Sequence, residues 1–76
     1  MVITVKLTGL LAGAAGFNEK TLEASEGSTT WDIYTRLALP MSDKWTSINV
    51  NNRLTDKKQI LQNGDSLLFF PIGGGG

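Results

Sequence analysis

Leu67, Leu68, Phe69 and Phe70 form an unbroken run of large apolar residues six positions before the end of the sequence. Successive side chains of a strand point to opposite faces, so such a run fits a strand covered on both faces better than one that is wet on one side. It follows the tight-turn sequence Asn63-Gly64-Asp65, and the strand is read as Ser66 to Phe70. Near the other end, Ile3, Val5 and Leu7 alternate with Val2, Thr4 and Lys6, which predicts a strand over residues 2 to 8 with one buried face. The first and last strands can then lie side by side in the middle of a sheet. Alternation turns Leu67 and Phe69 inward with Ile3, Val5, Ile48, Val50 and Leu37, and turns Leu68 and Phe70 outward.

Between these two strands the chain carries the remaining elements. Gly9, Gly13 and Gly16 interrupt an apolar stretch of small residues, which argues for a long flexible connection and against a stable helix. A second strand is expected at about 18 to 24. Thr29 and Asp32 have the spacing of a capping box, and Thr30, Ile33, Tyr34 and Leu37 recur at intervals of three and four. They predict a helix over 30 to 39 that ends before Pro40. Residues 40 to 46 read as loop. Ile48 and Val50 flank Asn49 in a third strand, the Asn51-Asn52 pair turns the chain, and Arg53-Leu54 returns as a short fourth strand. Residues 55 to 62 connect irregularly, with one helical turn near Lys57 to Leu61. Trp31 and Trp45 are expected to pack at the edges of the helix and loop. The result is an α+β chain, a mixed five-stranded sheet packed on one main helix over residues 1–72, followed by a flexible glycine tail at 73–76.

A chain of 76 residues is one domain, and a domain this short hides only ~60 to 65% of its unfolded surface. Its 41% apolar and 18% charged content lies in the globular range, so a packed core is expected rather than disorder. Seven basic and seven acidic residues cancel and are scattered, which leaves no field to attract phosphate backbones or anionic lipid. Nucleic acid and membrane are therefore not expected as partners, and no stretch approaches the ~20 apolar residues that span a bilayer. The cytoplasm is the expected location. With no Cys and no His, thiolate nucleophiles, the commonest metal ligands and Ser-His-Asp arrangements are all excluded. Asp32 is explained as a helix cap, Asp65 as a turn residue, and Glu19 with Glu23 as charges on an exposed strand. No catalytic residue and no metal site are expected.

After Pro71-Ile72 the sequence continues as Gly73-Gly74-Gly75-Gly76. Such a run can be a plain disordered or appended end. It can also be a device, because glycine passes constrictions that exclude other residues, and the six residues from Pro71 onward reach at most ~20 Å. A terminal carboxylate is inert until an enzyme converts it to an acyl adenylate, which sulfur or nitrogen nucleophiles then attack.

The run Gly64-Asp65-Ser66-Leu67-Leu68-Phe69-Phe70-Pro71 with the Gly75-Gly76 ending resembles the C-terminus of the MoaD/ThiS sulfur-carrier family. Glu26-Gly27-Ser28-Thr29 with Asp32, and Val50-Asn51-Asn52-Arg53, extend the likeness over nearly the whole chain. The resemblance implies a β-grasp fold shared with ubiquitin and a non-catalytic sulfur carrier of cofactor biosynthesis. It implies that an E1-like adenylating enzyme uses ATP and Mg²⁺ on Gly76, that a sulfur donor converts the adenylate to a thiocarboxylate, and that no cofactor is bound by the carrier. Gly73, Gly74 and Gly75 would enter the partner, and Leu68, Phe70 and Pro71 would form the docking surface. The Phe69-Phe70-Pro71 ending is more similar to MoaD, the small subunit of molybdopterin synthase, whose large subunit would receive the tail; thiazole synthase is the corresponding partner in the thiamine pathway. Gly73-Gly74 stand where the family more often has larger residues.

Two other classes stay open. A ubiquitin-like modifier would form an amide with a target lysine, and a plain interaction module would not need its tail. Ubiquitin-type endings usually carry Arg before the diglycine, and here the preceding residues are apolar or Gly. Phe70 has two readings as well, a core residue beneath the long first loop or part of an exposed binding patch.

Overall fold

The computed structural model describes residues 1–72, apart from the side chain of Asp43. In chain order the elements are β1 (Val2–Leu7), α1 (Gly9–Ala15), β2 (Glu19–Glu23), α2 (Thr30–Arg36), a 3₁₀ turn (Asp43–Trp45), β3 (Thr46–Val50), β4 (Arg53–Thr55) and β5 (Ser66–Pro71). The five strands form one sheet in the order β2-β1-β5-β3-β4. β5 is central and parallel to β1, with Val5 beside Leu67 and Leu7 beside Phe69. It runs antiparallel to β3, with Ile48 beside Phe69 and Thr46 beside Pro71. The mixed sheet anticipated from the two alternating segments is therefore present, with the last strand in its middle.

One face of the sheet makes the core. Ile3, Val5, Leu7, Ile48, Val50, Leu67 and Phe69 are buried in one cluster with Leu11 of α1, Ile33 and Tyr34 of α2, and Leu61. Tyr34 meets the edge of Phe69 at 5.1 Å between ring centroids and stacks with Trp31 at 4.3 Å. Its hydroxyl donates to the Met41 carbonyl at 2.8 Å, so the buried phenol is satisfied.

α2 begins as its sequence dictates. The Thr29 hydroxyl accepts from the Asp32 amide and the Asp32 carboxylate accepts from the Thr29 amide, at 3.2 and 2.9 Å. The helix ends at Arg36, earlier than residue 39, because Ala38 turns left-handed at φ 53 before the residue that Pro40 forces out of helical geometry. Asn51 and Asn52 both take positive φ, as the turn between β3 and β4 requires. Around Lys57 the chain makes a turn rather than a helical one, and Ile60 bridges to Thr29.

The stretch from Gly9 to Gly16 corrects the expectation of an irregular connection, and with it that of a single helix. It forms α1. Only Gly13 is interior to the helix: Gly9 enters at φ 55, and Gly16 closes it in the left-handed conformation with its N–H on the Ala12 carbonyl at 2.9 Å. Alanines supply high helix propensity, and fully buried Leu11 anchors the helix to the core.

Candidate functional site

β5 leads toward the glycine run. Its last residues are held on both sides. Pro71 pairs with Thr46, and the Ile72 N–H donates to the Trp45 carbonyl at 3.0 Å. On the other side Gly9 lies beside the Pro71 ring, where a Cβ on Gly9 would make an ordinary van der Waals contact, 3.5 Å from Cγ. The described chain thus stays fixed to the sheet as far as Ile72. Gly73, Gly74, Gly75 and Gly76 lie outside the described residues.

The three residues anticipated as a docking surface divide between the two faces. Leu68 and Phe70 are half-buried, and neither belongs to the core cluster or packs against it. Pro71 has the odd-numbered parity of Leu67 and Phe69, and it lies on the helix side beside Gly9. The stretch thought able to cover Phe70 instead sends Leu11 into the core on the opposite face.

Register gives the makeup of the uncovered face. One row across the sheet reads Glu19, Lys6, Leu68, Asn49, Leu54. A neighbouring pair is Phe70 and Ser47. Leu54, Leu68 and Phe70 are thus apolar positions on one side of the row, with the Lys6 and Glu19 charges on the other. Asn49 sits among them, and its Oδ1 is buried with no hydrogen-bond partner among the described residues. An open groove of about 530 Å³ separates Ile72 from Leu54 and has Thr46, Ser47 and Ile48 in its lining.

Asp65, like Asp32 at the start of α2, has a structural duty. Asp65 accepts from the Gln62 amide at 2.8 Å and from Asn51 Nδ2 at 2.9 Å, while Asn51 Oδ1 accepts from the Ser66 amide at 3.0 Å. These bonds lock the turn that launches β5 beside the Asn51-Asn52 turn. A smaller polar recess of about 380 Å³ lies next to them, bordered by Arg53 and Gln62.

Sequence reading missed several exposed apolar residues. Leu10, Trp45, Leu54 and Ile72 are open to solvent. Trp45 was expected to pack. It lies at the end of a short 3₁₀ turn that holds the end of β5 through its carbonyl, which accepts the Ile72 N–H, and leaves the indole outside. Leu54 could have been found from its place opposite Asn49 once the register was known, whereas nothing local distinguishes Leu10 from the buried Leu11.

Comparison with known proteins settles the ancestry of this arrangement. A model of the ThiS family matches residues 5–76. The chain belongs to the ThiS family. Among solved structures, SAMP1 of Haloferax volcanii superposes with a TM-score of 0.81 at 20% identity, covering 100% of both chains. A Pyrococcus furiosus protein described as a molybdopterin converting factor, subunit 1, gives 0.78 at 21% identity, covering 93% of this chain and 97% of its own. SAMP1 of Methanosarcina acetivorans, a small archaeal modifier protein, gives 0.76 at 19% identity over 99% and 96% of the two chains. A search of curated proteins finds no significant match. The fold of this ThiS-family chain is the ubiquitin-like β-grasp, and the protein is a small ubiquitin-like member of the MoaD/ThiS group. Among its described residues no helix is long and apolar enough to cross a membrane.

Proposed function

We propose that this ThiS-family protein is a cytoplasmic sulfur carrier that works through the carboxylate of Gly76 and leaves the chemistry to its partners. The observation that carries the reading is the course of β5. The central strand of the sheet is fixed up to Ile72, and the sequence passes from there directly into four glycines. A rigid body joined to residues without side chains suits delivery of a terminal group into a narrow site.

In this reading an E1-like adenylating enzyme binds the carrier together with ATP and Mg²⁺. A Gly76 carboxylate oxygen attacks the α-phosphorus, pyrophosphate leaves, and an acyl adenylate forms. Hydrosulfide from a sulfur donor then attacks the carbonyl carbon, AMP departs and the proton is lost to solvent, which leaves a thiocarboxylate. Gly73, Gly74 and Gly75 occupy the channel, and Leu68 and Phe70 on the uncovered face, with Pro71 on the helix side of the same strand, meet the partner body. The Phe69-Phe70-Pro71 ending, together with the likeness to the Pyrococcus furiosus protein, favours the molybdopterin pathway over thiamine. The large subunit of a molybdopterin synthase is then the sulfur acceptor, and thiazole synthase is the alternative.

The likeness to two small archaeal modifier proteins supports a second reading, conjugation of Gly76 to a lysine of another protein. One experiment separates the two. The protein is incubated with its cognate E1-like enzyme, ATP, Mg²⁺ and a sulfide source, and its intact mass is measured. A carrier gains the difference between one sulfur and one oxygen. No gain overturns the carrier reading, and appearance of an amide to lysine in a lysate carrying the same enzyme supports the modifier.

A further inference from the structure

The exposed apolar side chains at one end of the sheet set a condition on any enzyme that acts on Gly76. On the carrier reading above, the reacting residue stands four positions beyond Ile72, and four fully extended residues span no more than about 14 Å. The body of such an enzyme must therefore come up against the residues that surround Ile72. Ile72 and two of these are large, apolar and open: Leu10 is 71% exposed, Trp45 57% and Ile72 43%.

They stand on both sides of the strand end. Trp45 is on the β3 side, where its carbonyl accepts the Ile72 N–H. Leu10 is on the α1 side and follows Gly9, which lies beside the Pro71 ring. The groove lined by Ile72 and Leu54 runs from the strand end toward β4. Such a cluster, rooted where the reacting segment begins, is more than the scatter of single apolar residues found on any surface.

We infer that Leu10, Trp45 and Ile72 form a collar that seats the apolar rim of the adenylating enzyme's channel, so that the enzyme grips the end of β5 from both sides. Glycine loses more conformational freedom on ordering than any other residue, so threading Gly73–Gly76 into a channel is costly. Contacts beside the channel mouth offset that cost without blocking passage. The collar therefore acts on binding of the carrier and not on the chemical step.

The test is ATP–pyrophosphate exchange catalysed by the cognate E1-like enzyme, with wild-type protein, Leu10→Ser, Trp45→Ser and the double variant as substrates. Val2→Ser serves as the control, since Val2 is a comparably exposed apolar residue at the opposite end of the sheet. The double variant is expected to raise KM at least about tenfold with kcat unchanged, the signature of lost binding rather than lost chemistry. Val2→Ser is expected to behave as wild type, and all variants to keep the wild-type melting temperature. An unchanged KM in the double variant overturns the inference, as does an equal rise in Val2→Ser. Sedimentation of the wild type at twice its mass, abolished by Trp45→Ser, also overturns it by assigning the collar to a second copy of this chain. Absence of exchange with the wild type itself strikes the carrier reading instead.

Discussion

Phe69 and Phe70 are chemically identical neighbours that the pleat of β5 sends to opposite sides of the sheet. Phe69 is fully buried against Tyr34, and Phe70 is half-buried on the face without helices. Phe69→Ala should therefore cost ~3 to 5 kcal/mol in urea denaturation, and Phe70→Ala only about 1 kcal/mol. The second variant should weaken partner binding measured by calorimetry, and a cost equal to that of Phe69→Ala would show that Phe70 is a core residue. This division was legible beforehand because alternation needs only the strand's direction and one anchored residue. Asn49 was not legible in that way. Its unpaired Oδ1 results from the residues packed around it across two strand pairings, and no local pattern encodes those. Relieving the orphaned acceptor with a β-branched residue, Asn49→Val, should raise stability by about 1 kcal/mol in the same denaturation experiment. An unchanged or lower midpoint would mean that the amide is satisfied in solution.

Among the elements, α1 shows where propensity arguments mislead. Counting three glycines across residues 9 to 16 predicted irregular chain, yet two of them are terminators whose positive φ favours glycine. Their positions, more than their number, carried the information. What the count could not include was burial of Leu11, a tertiary term that outweighs a single interior glycine. The helix also offers a paired test. A Cβ on Gly13 meets nothing within 4 Å, so Gly13→Ala should stabilise by about 0.5 to 1 kcal/mol. Gly9→Ala places a side chain at φ 55 and should destabilise by about 1 to 2 kcal/mol. Thermal melts followed by circular dichroism distinguish the two, and a loss of stability in Gly13→Ala would show that residues 9 to 15 are not helical in solution. By contrast α2 was readable at its start, because a capping box is encoded within four residues. Its early end at Arg36 depended on Ala38, which carries no such signal.

The molecule as a whole was legible to the extent that its sheet order follows from where apolar strands must be hidden. The mixed topology with the final strand at the centre came from two segments alone, Ile3 to Leu7 and Leu67 to Phe70. The surface around Ile72 was not, since exposure of Leu10 and Trp45 emerges only when elements far apart in sequence meet. Because the core and all five strands lie within residues 2–71, deleting 73–76 should leave the urea midpoint unchanged while abolishing thiocarboxylate formation. A large fall in midpoint would show that the glycines contribute to the folded body. The parallel pairing of β1 with β5 carries a further implication for how this protein is made. During synthesis β1 emerges from the ribosome first and can zip only with β2, leaving the other edge of the nascent hairpin bare until Phe69 has cleared the exit tunnel. A messenger truncated ahead of β5 would yield an aggregation-prone fragment with an open edge rather than a smaller working protein.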